Sequence, residues 1–183
     1  MSIRIAIAGV GNCASSLVQG IEFYRRTPAA PGLLHATLGG YRVSDIEVAC
    51  AFDIDRRKVG RPLSDALLAE PNNTKRFADL ASGAGPVVAM GPVLDGVAEH
   101  MAGYPSSQRF EPADTSPVDV AAALRESRAE VLVNYMPVGA QRASEFYARA
   151  CLEAGVAFVN CVPCFVVSRD EWARQFLARG LPC

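Results

Sequence analysis

The sequence lacks an excess of charge of either sign, and it lacks a long apolar run. With 18 basic and 19 acidic residues its formal net charge is -1, so the charge balance favours neither nucleic acid nor an anionic membrane as a partner. No apolar run approaches the length that spans a bilayer, and the N-terminus carries no charged segment followed by a long apolar one, as a secretory signal would. These absences predict a cytoplasmic protein whose six cysteines stay reduced.

Signatures of hydrolytic, phosphotransfer and metal chemistry are also missing. There is no nucleophile elbow, no phosphate-loop lysine and no pair of catalytic carboxylates. Cys161 and Cys164 form one C-x-x-C pair, but a zinc site needs two more ligands and no second pair exists. A redox pair is the alternative, and structural thiols are the favoured interpretation. Cys13, Cys50 and Cys151 stand at apolar or small-residue positions and are predicted in the core. The sequence therefore predicts no catalytic residue and no metal ligand.

Short apolar segments alternate with segments of helical periodicity through most of the 183 residues. Strands are predicted at 4–8, 47–52, 86–90, 130–135 and 156–160. The alternation predicts an α/β fold, a Rossmann-type doubly wound parallel sheet with helices on both faces, in a single domain 1–183. Residues 91–115 are expected to be an irregular excursion over the sheet. Helix starts are predicted at Ser116, followed by Pro117, and at a capping box from Ser168 to Glu171.

The run I-A-I-A-G-V-G-N-C, residues 5–13, places a strand-like segment directly before two glycines. With Ala14 it completes the spacing G-x-G-x-x-A. Gly9 would permit a tight turn, Gly11 would let the backbone approach a pyrophosphate, and Ala14 would let the helix pack closely on the strand. The helix N-terminus would offer free N–H groups and a partial positive charge to the phosphates. We interpret the run as a dinucleotide-binding turn, and the alternative is a strand–helix corner without a ligand.

An acidic residue, Asp53, follows the second predicted strand and precedes Ile54. In this fold such a carboxylate binds the adenosine ribose hydroxyls, which favours NAD over its phosphorylated form. A loop rich in Pro and Gly at 27–40 accounts for the long separation from the glycines. A solvated turn aspartate is the alternative. The basic run 56–58 could accept a 2′-phosphate, and a solvated helix start is the favoured interpretation of that run.

Two later turns combine polar residues with proline at predicted strand ends. They are N-Y-M-P-V-G at 134–139 and N-C-V-P at 160–163. Because ligands of parallel sheets bind at the carboxyl ends of the strands, these turns suit contacts to a nicotinamide. Ordinary strand–helix turns explain the same residues equally well.

Beyond these patterns, the run I-A-I-A-G-V-G-N-C-A-S-S-L-V-Q-G at 5–20 resembles the opening of bacterial and archaeal inositol-3-phosphate synthases, also called myo-inositol-1-phosphate synthases. The similarity continues collinearly through A-F-D-I-D (51–55), N-N-T (72–74), V-L-V-N-Y-M-P-V-G (131–139) and F-Y-A-R-A-C-L-E-A-G-V-A-F-V-N (146–160). The G-V-G-N-C-A-S-S-L-V-Q-G part is specific to this family in a way that a bare glycine spacing is not.

The resemblance implies an NAD-dependent isomerase of inositol biosynthesis, upstream of inositol phospholipids. NAD would oxidise glucose 6-phosphate, an intramolecular aldol step would close the ring, and the same NADH would reduce the product to inositol 3-phosphate. The implied cofactor-binding residues are Gly9, Val10, Gly11, Asn12, Cys13, Asp53, Ile54, Ser127, Tyr135, Met136, Pro137, Val138 and Tyr147. Ser127 stands where relatives commonly have alanine, and Pro62 replaces an acidic residue linked to NAD binding.

In the family, the catalytic lysines, the sugar-phosphate site and the sheet of the usual tetramer lie beyond the position of Leu181. We therefore expect a truncated enzyme that takes a sugar phosphate only when completed by the missing half. A homo-oligomer is the assembly that the resemblance implies. A stand-alone NAD-binding or regulatory module is the alternative from another functional class.

Overall fold

A five-stranded parallel sheet is the centre of the structure, a computed structural model that describes residues 2–29 and 31–183. The strands are β1 (Ile3–Ala8), β2 (Ile46–Asp53), β3 (Ala89–Met90), β4 (Val131–Asn134) and β5 (Ala157–Asn160). The α-helices are α1 (Asn12–Arg26), α2 (Leu63–Ala66), α3 (Val120–Glu126), α4 (Gln141–Ala154) and α5 (Asp170–Ala178). No helix in the described part of the chain has the length and apolar character to cross a membrane.

The strand order is β3-β2-β1-β4-β5, and every neighbouring pair is parallel. The chain builds outward from β1 to β3 and then returns to the other side of β1 with β4. Ala8 at the end of β1 pairs with Phe52 of β2 and with Asn134 of β4. The order therefore reverses between β1 and β4, and in this fold the crevice at such a point, beyond the carboxyl ends of the strands, receives the ligand.

Helices cover both faces of the sheet, as the alternation of segments predicted. Successive side chains of β1 point to opposite faces. Ile5 and Ile7 join the core that packs under α1 and α2, whereas Ala6 and Ala8 join the core under α3, α4 and α5. The doubly wound α/β fold is confirmed.

Both predicted N-caps are wrong by one to three residues. Helix α3 begins at Val120, and its cap is Asp119, whose Oδ1 accepts from the backbone N–H of Ala122 at 2.9 Å. The chain cannot begin to coil at Ser116, because the N–H of Val118 donates to the carbonyl of Met90 at 3.0 Å. At α5 the N-cap is Arg169, since its N–H closes a turn onto the carbonyl of Val166.

The excursion at 91–115 is irregular, as expected, apart from two short 3₁₀ turns at Glu99–Gly103 and Ser106–Gln108. Hydrogen bonds fasten it to the end of β2: Ala113 N–H donates to the carbonyl of Ile54 at 2.8 Å, and Arg56 N–H donates to the carbonyl of Glu111 at 2.8 Å. The excursion therefore stands beside the carboxyl end of the sheet and forms one wall of the site.

Candidate functional site

The two glycines after β1 occupy different environments. Gly9 has a φ of +92°, and a Cβ placed on it would lie 2.6 Å from the carbonyl oxygen of Tyr135. Only glycine fits there. Gly11 has extended backbone angles, and a Cβ placed on it would meet nothing within 4 Å. The backbone of Gly11 therefore faces open space, which is the geometry that close approach of a diphosphate needs.

Gly11 is also the N-cap of α1. The first N–H groups of an α-helix have no partner within the helix, and they carry a partial positive charge. The first turn of α1 contains no acidic residue that would offset this charge, and no side chain caps it. Ala14 is fully buried, so the helix packs closely on the sheet. The residues present thus fit the phosphates of a dinucleotide.

The carboxylate of Asp53 anchors the glycine turn from the end of β2. Its Oδ2 accepts from the N–H of Val10 at 2.8 Å, and its Oδ1 accepts from the N–H groups of Ile54 and Asp55 at 2.7 and 2.8 Å. Asp53 is only 7% exposed, so the alternative of a solvated turn aspartate is wrong. Contact with ribose hydroxyls stays a prediction.

The basic run after Asp53 is not a solvated helix start. Residues 56–60 form turns, and Lys58 is fully buried. Its Nζ donates to the carbonyl of Val10 at 2.8 Å and to Oδ1 of Asn72 at 2.9 Å, and it lies 3.8 Å from Oδ2 of Asp53. Burial lowers the pKa of Lys58, against the opposing influence of the nearby Asp53 and Asp55 carboxylates.

The other two members of the run are paired with carboxylates. Arg57 binds the buried Asp55 through two nitrogens at 2.8 and 2.6 Å. Burial by itself would raise the pKa of Asp55, but hydrogen bonds from Arg57 and from the N–H of Glu111 outweigh it and lower that pKa. Arg56 is exposed and makes a 2.6 Å ion pair with Glu111. The guanidinium that a 2′-phosphate would need is therefore already held by a carboxylate.

Asn12, which follows the turn, holds the loop at 72–74. Its Oδ1 accepts from the N–H of Asn73 at 2.9 Å and from the hydroxyl of Thr74 at 2.8 Å, and its Nδ2 donates to Oδ1 of Asn73 at 2.8 Å. Asn72 in turn donates to the carbonyl of Val10 at 3.0 Å. Sequence reasoning missed these supports, since N-N-T was notable only through the family resemblance.

One cleft unites much of the predicted site. Its lining includes Gly9, Gly11, Asp53, Ile54, Tyr135, Met136 and Pro137, all predicted cofactor contacts. Val93, Gly96 and Phe110 of the excursion close the opposite side. The cleft encloses about 50 Å³, so a dinucleotide would fill it only in part. A neighbouring cavity of about 510 Å³ shares Phe110 and is also lined by Arg56 and Glu111.

The remaining predicted contacts lie around or away from this cleft. Val10 is buried beneath the turn, whereas Cys13 and Val138 are exposed beside it. The placement of Cys13 in the core is therefore wrong, because its position in the first turn of α1 faces solvent. Cys151 is buried as predicted, and Cys50 is half-buried.

Tyr147 and Ser127 do not line the cleft. Tyr147 is fully buried against Phe52, where desolvation raises its pKa far above the ordinary value. Its hydroxyl has no hydrogen-bond partner in the described part of the protein, and Gly91 leaves the space that this hydroxyl fills. Ser127 donates to the carbonyl of Leu124 at 3.1 Å and lies beside Arg4, near the amino end of β1. Their contacts with a cofactor remain predictions.

Thiols lie near the mouth of the site but form no metal centre. Burial raises the pKa of Tyr135, and the neighbouring Cys161 and Cys13 add to the effect. Cys161 is exposed, Cys164 is buried, and both are free thiols. Across residues 2–29 and 31–183, no group of three or more His, Cys, Asp or Glu side chains is placed to hold a metal ion.

The strand order, the open turn at the reversal point and the acidic residue ending β2 together define a Rossmann-type α/β domain. No family model matches the sequence. The chain is 47% identical over 183 residues to the inositol-3-phosphate synthase of Mycobacterium tuberculosis (strain CDC 1551), a match that covers 98% of this chain and 48% of that protein. The chain thus belongs to the inositol-3-phosphate synthase family, and it spans about half the length of the curated relatives that it matches.

Solved structures agree with this fold. The crystal structure of Ari2 matches all of this chain and 53% of that chain, with a TM-score of 0.81 and 40% identity. A myo-inositol-1-phosphate synthase-related protein from Thermotoga maritima gives a TM-score of 0.67 over 96% of this chain and 52% of its own. At 22% identity, that second match supports the fold alone.

Proposed function

We propose that this chain binds NAD, with the cofactor's diphosphate at Gly11 and the N-terminus of α1. The observation that carries the proposal is the open space in front of Gly11, next to a helix end with no acidic residue in its first turn. Backbone N–H groups at such a helix end bind phosphate without any side chain. When bound, NAD would supply a hydride acceptor that later returns the hydride.

The preference for NAD over NADP rests on the charges at the end of β2. The 2′-phosphate of NADP would approach the side chain of Asp53 and that of Arg56, which is already paired with Glu111. A phosphate there would have to displace Glu111 from Arg56, and the Asp53 carboxylate has no hydrogen to donate to it. NAD has only hydroxyl groups at this point, and these can donate hydrogen bonds to a carboxylate.

Calorimetric titration with NAD and NADP tests this proposal. We expect saturable binding of NAD by the wild type, weaker binding of NADP, and loss of NAD binding in Gly11→Asp with the far-UV circular dichroism unchanged. The Asp side chain would project into the open space and place a like charge against the diphosphate. A folded wild type that ignores NAD at millimolar concentration would refute the proposal.

We further propose that the chain supplies the NAD-binding part of an enzyme that converts glucose 6-phosphate to 1D-myo-inositol 3-phosphate. The support is its 47% identity to a relative named inositol-3-phosphate synthase. The test is an assay for inositol phosphate with the chain alone and with the C-terminal half of a full-length relative added. We expect product only in the second case.

A stand-alone NAD-binding module is the second candidate, and the state of the two lysines is compatible with it. Lys58 borders the cleft, but its ammonium is held by the carbonyl of Val10 and by Asn72, and Lys75 is exposed outside the cleft. Neither is therefore free to act on a sugar phosphate beside the cofactor, although the family chemistry uses lysines. NAD binding without product in either assay would select this candidate.

A further inference from the structure

A buried cation lies directly behind the glycine turn. Lys58 is 0% exposed, and its ammonium reaches the carbonyl of Val10 at 2.8 Å and Oδ1 of Asn72 at 2.9 Å. Lysine is almost never fully buried unless it is paired. The carboxylate of Asp53, 3.8 Å away, supplies that pairing. A buried lysine whose partners are Val10 of the turn and two residues that themselves bind Val10, Asp53 and Asn72, indicates a role in the turn itself.

The ammonium of Lys58 and the carboxylate of Asp53 bind the two polar backbone groups of one residue, Val10. The N–H of Val10 donates to Asp53, while the carbonyl of Val10 accepts from Lys58 and Asn72. With both groups of Val10 engaged inside the protein, the orientation of the next residue, Gly11, is fixed. The unpaired N–H groups at the start of α1 are then held in one orientation.

The pair also balances charge. A lone Asp53 would place a buried negative charge immediately behind an anion-binding turn, which would repel a diphosphate. Because the interior screens charges weakly, the compensating ammonium matters more there than on the surface. When both side chains are present, the partial positive charge at the N-terminus of α1 remains at the turn, and no net charge lies behind it.

We propose that Lys58 is a positioning residue for the diphosphate of the dinucleotide, an inference that rests on the proposed NAD binding. It holds the Val10 carbonyl inward and neutralises Asp53, so that the turn offers its backbone N–H groups to an anion. Lys58 borders the cleft, but its ammonium is held by the carbonyl of Val10 and by Asn72, so its influence on the diphosphate passes through Val10 and Asp53.

The test compares ligands with and without phosphates on matched variants. Backbone amide shifts are followed while NAD, ADP or adenosine is titrated into wild type, Lys58→Met, Asp53→Asn/Lys58→Met and Lys75→Met. Removing one member of a buried charge pair leaves the other charge uncompensated, and this weakens the binding of charged ligands strongly. We therefore expect Lys58→Met to lose about tenfold or more in affinity for NAD and ADP. Adenosine affinity should change by less than about twofold, because it carries no phosphate.

The double variant and the second lysine act as controls. Asp53→Asn/Lys58→Met removes both charges and also the predicted ribose contact, which ADP and adenosine share. We therefore expect its ratio of ADP affinity to adenosine affinity to recover part of the loss seen in Lys58→Met. Lys75→Met removes the same charge from an exposed position, where solvent screens it, and should bind like wild type. If Lys58→Met does not fold, Asp53→Asn is compared with the double variant, and the same phosphate-specific loss is expected between them.

Two results would overturn the inference. One is a folded Lys58→Met protein that binds NAD and ADP as tightly as wild type. The other is an equal loss for adenosine and ADP, which would show only a general structural role. Failure of the wild type to bind NAD is a different result, because it removes the proposed function and this inference with it.

Discussion

At the residue scale, we expect Gly9 to matter for the stability of the fold and Gly11 for the binding of NAD. Gly9 has positive φ and lies against the backbone of Tyr135, so Gly9→Ala should destabilise the fold by about 1–3 kcal/mol. Gly11 is extended and faces open space, so Gly11→Ala should change stability by less than about 0.5 kcal/mol while weakening NAD binding. Urea denaturation and calorimetry of both variants measure the two effects. Unaltered NAD affinity in Gly11→Ala would show that the diphosphate binds elsewhere.

Asp55 makes stability depend on pH. Its folded-state pKa lies below the ordinary value of about 3.9, because hydrogen bonds from Arg57 and Glu111 outweigh the effect of burial. Its contribution is therefore complete above about pH 4, and it is lost as the pH falls through the lowered folded-state pKa.

Asp55→Asn should lower stability at neutral pH and should flatten the decline of stability at acidic pH. Urea unfolding from about pH 7 to about pH 2.5 measures both effects, with the exposed Asp114→Asn as the matched control. An acid profile of Asp55→Asn parallel to that of wild type would contradict the assignment.

Some features of single residues could be predicted from the sequence, and others could not. Gly9 was predictable because backbone conformation limits the residue at a tight turn, and Gly11 because its spacing from Gly9 belongs to the dinucleotide-binding pattern. The burial of Lys58 was not, because its partners Val10 and Asn72 are distant in sequence and lysine is ordinarily exposed. The position of Asp53 at the end of the second strand was predicted. Its hydrogen bond with Val10 was not, because that bond depends on how β1 and β2 pair.

At the element scale, strands were more predictable than helix starts. Residues 46–53 and 157–160 form strands close to the predicted ranges because their apolar patterns are local properties. The start of α3 depends on the hydrogen bond from Val118 to Met90, a contact between segments that no local pattern records. For the same reason β3 is only two residues long, since Val87 pairs with Pro62 instead.

Helix α4 has its N-terminus capped from outside its own chain segment. The carboxylate of Asp95 accepts from the N–H groups of Arg142 and Ala143 at 2.7 and 2.9 Å. The residue at the N-cap position itself, Ala140, makes no capping hydrogen bond through its side chain. Asp95→Ala should therefore destabilise the protein by about 1 kcal/mol, as the loss of an N-cap does. It should also speed amide exchange at Arg142 and Ala143, whose N–H groups lose their acceptor. Asp114→Ala is the matched exposed control, and equal effects in both variants would refute the capping role.

The excursion at 91–115 should move when NAD binds. Its residues Val93, Gly96 and Phe110 close a cleft of only about 50 Å³ in front of the turn, which cannot enclose a dinucleotide. Amide shifts during an NAD titration should therefore change at these residues as well as at Gly9 and Gly11. Changes confined to residues 9–13 would show that the cofactor binds without displacing this wall.

At the scale of the whole molecule, the sheet joins two apolar cores. Ile7 of β1 packs in one core and Ala8 in the other, and Val133 and Leu132 of β4 divide in the same way. Because adjacent residues of the same strands serve both cores, neither core can lose its packing while the sheet persists. We therefore expect the described part of the chain to unfold as one cooperative unit.

The single tryptophan lets this cooperativity be tested together with cofactor binding. Trp172 is buried in the core under α3, α4 and α5, whereas the turn leads into α1 on the opposite face. A ligand that binds only the native state at about 100 times its Kd stabilises it by about 2.7 kcal/mol. NAD should therefore shift the thermal transition seen by Trp172 fluorescence and that seen by far-UV circular dichroism by the same amount, and Gly11→Asp should abolish both shifts. A shift in the circular dichroism with none at Trp172 would mean that the two faces of the sheet melt separately.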